Sequence, residues 1–87
     1  MFDGMRNLQQ LSLRNNSIER LGNYSFASVP ELIALDLSEN ELKTITSTPF
    51  TYVTKLNLLI LSNNSIEVFE ENSFRNAIST ILLDGKN

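Results

Sequence analysis

The chain has no cysteine, no histidine and no tryptophan, and only three glycines and two prolines among its 87 residues. Without cysteine there is no disulfide, no thiolate nucleophile and no zinc–thiolate site. Without histidine, no hydroxyl or thiol nucleophile can be paired with an imidazole base. Gly4, Gly22 and Gly85 stand alone, so no glycine-rich phosphate loop forms. No apolar run approaches the roughly 18 residues of a membrane span, and the opening Met-Phe-Asp-Gly-Met-Arg-Asn carries no signal-peptide core. Direct membrane insertion by this segment is therefore not expected. Positive charge is sparse as well. Arg6, Arg14, Arg20, Lys43, Lys55, Arg75 and Lys86 are scattered, and the net charge is −3, which argues against a nucleic-acid or anionic-membrane surface.

Carboxylates are the remaining chemistry. The pair most suggestive by position, Asp36 and Asp84, falls on segments two repeats apart. At a lateral strand spacing of about 4.8 Å they stand on the order of 10 Å from each other, with Ile60 and Leu82 crowding the gap. A metal site would need more oxygen ligands converging there. The expectation is no catalysis, no metal and no cofactor. The lack of cysteine does not fix the compartment.

What is present is a phase-locked repeat. Leu8, Leu11, Leu13, Asn16 and Ile18 recur as Leu32, Leu35, Leu37, Asn40 and Leu42, and again as Leu56, Leu59, Leu61, Asn64 and Ile66. Phe26, Phe50 and Phe74 keep the same step, and Phe2 falls one step earlier. Further apolar positions follow at Leu21, Ile45 and Phe69, and at Met5, Val29, Val53 and Ala77. A period in this range means units that bury their apolar faces only by stacking on neighbours. Within each unit the leucines alternate at a period of two, which predicts strands near residues 10–14, 34–38, 58–62 and 80–84. Equivalent strands run the same way, so the sheet is parallel, and the connections are expected to be right-handed. Pro30 and Pro49 fall in the return arcs, where a missing donor does no harm to the sheet. Residues 44–49 read as extended or turn, and residues 70–75 as a helical turn.

Each repeated position has a physical reason. A buried leucine contributes roughly 1.5–3 kcal/mol. Asn16, Asn40 and Asn64 follow the strand where the chain turns and backbone groups lose their ladder partners; an amide there supplies both donor and acceptor. The phenylalanines form a spine holding the return arc against the sheet. The last unit departs from the pattern, because Ile78, Ile81 and Leu83 arrive two residues early and Lys86 takes the asparagine position.

The pattern LxxLxLxxNxL, in three consecutive copies over nearly the whole chain, resembles the leucine-rich repeat. The 24-residue length with its phenylalanine resembles the subclass common in extracellular animal proteins, including Toll-like receptors, small leucine-rich proteoglycans and adhesion receptors. The resemblance implies an α/β-type solenoid dominated by a short-stranded parallel sheet with an irregular convex side. It also implies a recognition role of the kind found in innate immunity and cell adhesion. Residues 1–87 read as a single array of about three full repeats and a degenerate fourth. No end shows the polar or cysteine-bearing cap such arrays carry, so a window from a longer ectodomain is expected.

The residues alternating with the core leucines form three rows across the concave face: Gln10, Ala34, Leu58, Thr80; Ser12, Asp36, Ile60, Leu82; and Arg14, Ser38, Ser62, Asp84. Leu58, Ile60 and Leu82 are apolar where a sheet meets solvent, which marks a contact site more often than isolated apolar residues do. A protein or other macromolecular partner, self-association, or a flank of a longer array could each cover them, and plain solvent exposure is the remaining alternative. Arg14 is a candidate polar anchor, or else a solvated arginine or one paired with Asp36. A structural spacer or dimerisation segment is the alternative to a recognition module.

Three glycosylation sequons begin at Asn15, Asn23 and Asn63. Eleven Asn with 16 Ser plus Thr in 87 residues would give about two by chance, so they support secretion weakly. Asn23, in a return arc, is the best acceptor; a glycan at Asn15 or Asn63 would sit at the strand rim. An extracellular or cell-surface location is expected, with an intracellular adaptor as the competing reading.

Overall fold

Among the described residues, six short strands follow in order: β1 (Gln10–Ser12), β2 (Ala34–Asp36), β3 (Thr44–Ile45), β4 (Leu58–Ile60), β5 (Val68–Phe69) and β6 (Thr80–Leu82). The structure is a computed structural model that describes residues 5–70, 78 and 80–83. Strands β1, β2, β4 and β6 form one sheet in that order, every pairing parallel. Leu11 lies opposite Leu35, and Leu35 opposite Leu59, so the 24-residue period of the sequence is the register of the sheet. At the last pairing Leu59 faces Ile81, which absorbs the two-residue shortening of the final unit without breaking the ladder.

The strands end two residues before the positions expected from the leucine alternation. Asn15, Glu39 and Asn63, equivalent in the three units, adopt left-handed backbone with φ of 60°, 55° and 60°. A left-handed residue cannot continue a strand, and Asn tolerates it better than most residues. Backbone bonding between units nonetheless persists up to that point. The Leu13 N–H donates to the Asp36 carbonyl at 2.8 Å, and the Leu37 N–H to that of Ile60 at 2.8 Å.

Behind the sheet, Leu32, Leu35, Leu37, Leu42, Leu56, Leu59 and Leu61 are buried, with Val29, Val53 and Ile45. The first unit is less sealed: Leu8, Leu11, Leu13, Ile18 and Leu21 are only partly buried against that core. Met5, in register with the buried Val29 and Val53, is 47% exposed. Phe26 and Phe50 are both buried and stack with ring centroids 5.7 Å apart and planes 15° apart. Phe2, Phe74 and Ala77 lie outside the described residues, as do residues 71–75 of the expected helical turn.

The return arcs hold two features that alternation of leucines does not announce. Strands β3 and β5 pair parallel in a separate two-stranded sheet, Thr44 opposite Val68 and Ile45 opposite Phe69. A 3-10 turn spans Thr48–Phe50, with Pro49 in its first turn, where the absent N–H costs nothing. Among the described residues there is no α-helix, and that turn is the helical part of the expected α/β architecture seen there. Parallel strands with few helices fit a repeat fold.

Candidate recognition face

The asparagines are what joins one unit to the next at the rim of the sheet. The Asn40 Oδ1 accepts from the backbone N–H of Asn16 at 2.8 Å and of Ile18 at 2.9 Å. Its Nδ2 donates to the carbonyls of Leu13, Leu37 and Ser38 at 3.0–3.1 Å, sharing its protons among them. Asn64 repeats the arrangement one unit on: Oδ1 accepts from the Leu42 N–H at 3.0 Å, and Nδ2 reaches the carbonyls of Leu37 and Leu61 at 3.0 Å and Ser62 at 3.4 Å. Each amide therefore serves its own turn and the unit before it. Asn16 differs. It is exposed at the edge strand, and its Nδ2 donates to the Arg14 carbonyl at 3.1 Å.

With the turns fixed, the outer face of the sheet is a lattice. One row runs Gln10, Ala34, Leu58, Thr80 and the next Ser12, Asp36, Ile60, Leu82, each in register across β1, β2, β4 and β6. Gln10 and Ser12 are exposed; Ala34, Asp36, Leu58 and Ile60 are half-buried; Leu82 is 44% exposed. The apolar members Leu58, Ile60 and Leu82 are thus neighbours on β4 and β6.

The third row departs from a simple binding surface. Ser38 is buried, not offered to a partner. Its carbonyl accepts from the Asn40 amide and from the Asn15 N–H, and its own N–H donates to the Asp36 Oδ1 at 2.9 Å, so it is tied into the turn on every side. Ser62 is half-buried, and Asp84 lies outside the described residues. Arg14 is exposed but pairs with Glu39 at 2.7 Å, not with Asp36. The hydrogen bond and charge of Glu39 raise the Arg14 pKa, with Asp36 a minor contributor.

Two of the hollows lined by described residues bear on binding. One, of about 340 Å³, opens on the sheet face over Ala34, between Gln10, Ser12, Asp36 and Ile60. The other, of about 430 Å³, lies off that face and is lined by Glu19, Arg20, Glu41, Lys43 and Thr44. The second is larger, but its two carboxylates and two cations offset one another and single out no ligand. Among the described residues no group of acidic side chains is placed to hold a metal ion. No helix among them is long and apolar enough to cross a membrane.

A family model describing the BspA-type leucine-rich repeat region matches residues 1–84, in six copies. The chain belongs to the leucine-rich-repeat family. Leucine-rich repeats generally mediate protein–protein interaction and are generally non-catalytic. No curated protein matches the chain significantly.

Of the sequon asparagines in this leucine-rich-repeat chain, Asn15 and Asn63 are exposed and left-handed at the strand rim, while Asn23 is exposed in a turn of the return arc. Beside it, Tyr24 packs on Tyr52 with ring centroids 5.8 Å apart, both tyrosines exposed. The two are 28 positions apart, off the repeat step, so periodicity gives no sign of the pair.

Proposed function

We propose that this chain is a non-catalytic recognition module of an extracellular, cell-surface or secreted protein, and that a protein partner docks across the outer, concave face of the four-stranded sheet. Residues 1–87 act as one array, a right-handed solenoid in which the units hold the face rigid. The observation that carries the reading is the apolar strip Leu58, Ile60 and Leu82 on a face that otherwise offers Gln10, Ser12 and Asp36 to solvent. A lattice already fixed by core leucines and asparagine amides loses little conformational freedom on binding, so its contact area converts well into affinity. The match to the BspA-type repeat, which is typically extracellular or surface-associated, supports the location. The exposed sequon at Asn23 is compatible with it.

The same strip also suits a second copy of the chain, which is the dimerisation or spacer reading. Sedimentation equilibrium over a hundredfold concentration range separates the two. A monomer throughout leaves the strip for a foreign partner. Association that disappears in the Leu58→Ser/Ile60→Ser variant assigns the strip to a second copy and sets the recognition reading aside.

A further inference from the structure

We propose that the hollow over Ala34 receives a basic side chain, lysine or arginine, presented by the protein partner; this rests on the outer sheet face being the docking surface. The hollow exists because the row Gln10, Ala34, Leu58 places its smallest member between two large ones in strict register. At about 340 Å³ it lies at the small end of the roughly 300–1,000 Å³ range of ligand pockets, suited to one long side chain.

Its walls differ in chemistry. On one side stands Asp36, half-buried, with Oδ1 accepting the Ser38 N–H at 2.9 Å. A carboxylate has acceptor capacity well beyond one such bond. Among the described residues no side chain donates to Asp36: the closest candidate, Arg14, gives its hydrogen bond to Glu39 at 2.7 Å. The hollow therefore carries a carboxylate to which no described side chain donates and on which Arg14 acts only as a minor charge, within a molecule of net charge −3. On the other side Ile60 lines the hollow, and Leu58 adjoins Ala34 in the register.

A lysine or arginine matches both walls, its methylene stem along the apolar side and its charged head at the carboxylate. An apolar or acidic side chain would cover Asp36 without pairing it, and burying an unpaired charge is penalised. Selectivity thus comes as much from rejecting the wrong side chain as from holding the right one.

The test uses four defined probes: acetyl-Leu-Lys-Leu-amide and its arginine, norleucine and glutamate counterparts, titrated into the 15N-labelled chain. The lysine and arginine peptides are expected to shift the amide resonances of Ala34, Asp36 and Ile60. They should bind about fivefold more tightly than the norleucine peptide, the scale of one partly shielded ion pair. Asp36→Asn keeps an acceptor for the Ser38 N–H and so preserves the turn, and it should abolish that difference. High salt should do the same, since at 1 M the screening length is about 3 Å. Equal binding of the norleucine peptide at these amides would overturn the basic-side-chain assignment while the docking face stands. Silence at these amides with all four peptides would overturn the assignment and remove support for the face as well.

Discussion

The side-chain amide of Asn64 donates to the carbonyl of Leu37, 27 positions earlier, at 3.0 Å. It crosses from one unit to the preceding one at the point where the strand ladder ends. Asn64 is only 1% exposed, so whatever replaces it leaves buried backbone groups without partners. Each such orphan costs about 1–3 kcal/mol. Asn64→Ala is expected to destabilise by roughly 3 kcal/mol in a urea melt. Asn16→Ala, at an exposed position with one local bond, should cost less than about 1 kcal/mol. Equal losses would contradict the role assigned to the inter-unit bonds.

The stacked pair Phe26 and Phe50 gives a second expectation. Phe50→Ala should cost about 3–5 kcal/mol, as for other buried aromatics. Combined with Phe26→Ala in a double-mutant cycle, the coupling should be about 0.5–1.5 kcal/mol. A single-site loss below about 1 kcal/mol would remove the spine from the list of stabilising features.

Glu39 occupies with φ 55° the position that the other two units fill with asparagine. A longer side chain in left-handed backbone is strained by about 1–2 kcal/mol, and Asn relieves part of it. Glu39→Asn is therefore expected to raise stability by about 0.5 kcal/mol despite removing the ion pair with Arg14. That pair is exposed on both sides and counts for little. A lower urea midpoint in the variant would show that the pair outweighs the strain.

Leu58 and Ile60 are half-buried, so their substitution has a stability component as well as a binding one. Each change to Ser should cost about 1 kcal/mol, around half the value of a fully buried side chain. A double variant that loses more than about 4 kcal/mol would place these residues in the core, not on a docking face.

The register of the main sheet was legible because it is carried by large side chains at a fixed step: Leu11, Leu35 and Leu59 must meet for their faces to be covered. What the leucines could not disclose was where each strand stops, because that depends on the left-handed turn at Asn15, Glu39 and Asn63. The pairing of Thr44–Ile45 with Val68–Phe69 was equally hidden. Two residues give no alternation to read, although Ile45 and Phe69 keep the repeat step. On the recognition face the rows followed directly from strand alternation, but Ser38 did not belong among the available residues. Its backbone is held by the Asp36 carboxylate and the Asn40 amide, contacts that strand alternation does not announce. Arg14 found Glu39 in place of Asp36 because the left-handed turn sets Glu39 beside the edge strand, a consequence of backbone geometry that spacing alone does not carry.

The leucines of the first unit are only partly covered, while Leu35, Leu37, Leu59 and Leu61 are sealed from solvent. Opening of the sheet should accordingly start at β1 and move inward, and amide hydrogens should exchange in that order, those of β2 and β4 last. Ala34, Asp36 and Ile60 lie on these slowest strands. The hollow would then lose its Gln10 and Ser12 wall whenever β1 frays, while its carboxylate and its apolar wall stay in place for a partner to meet at nearly every encounter.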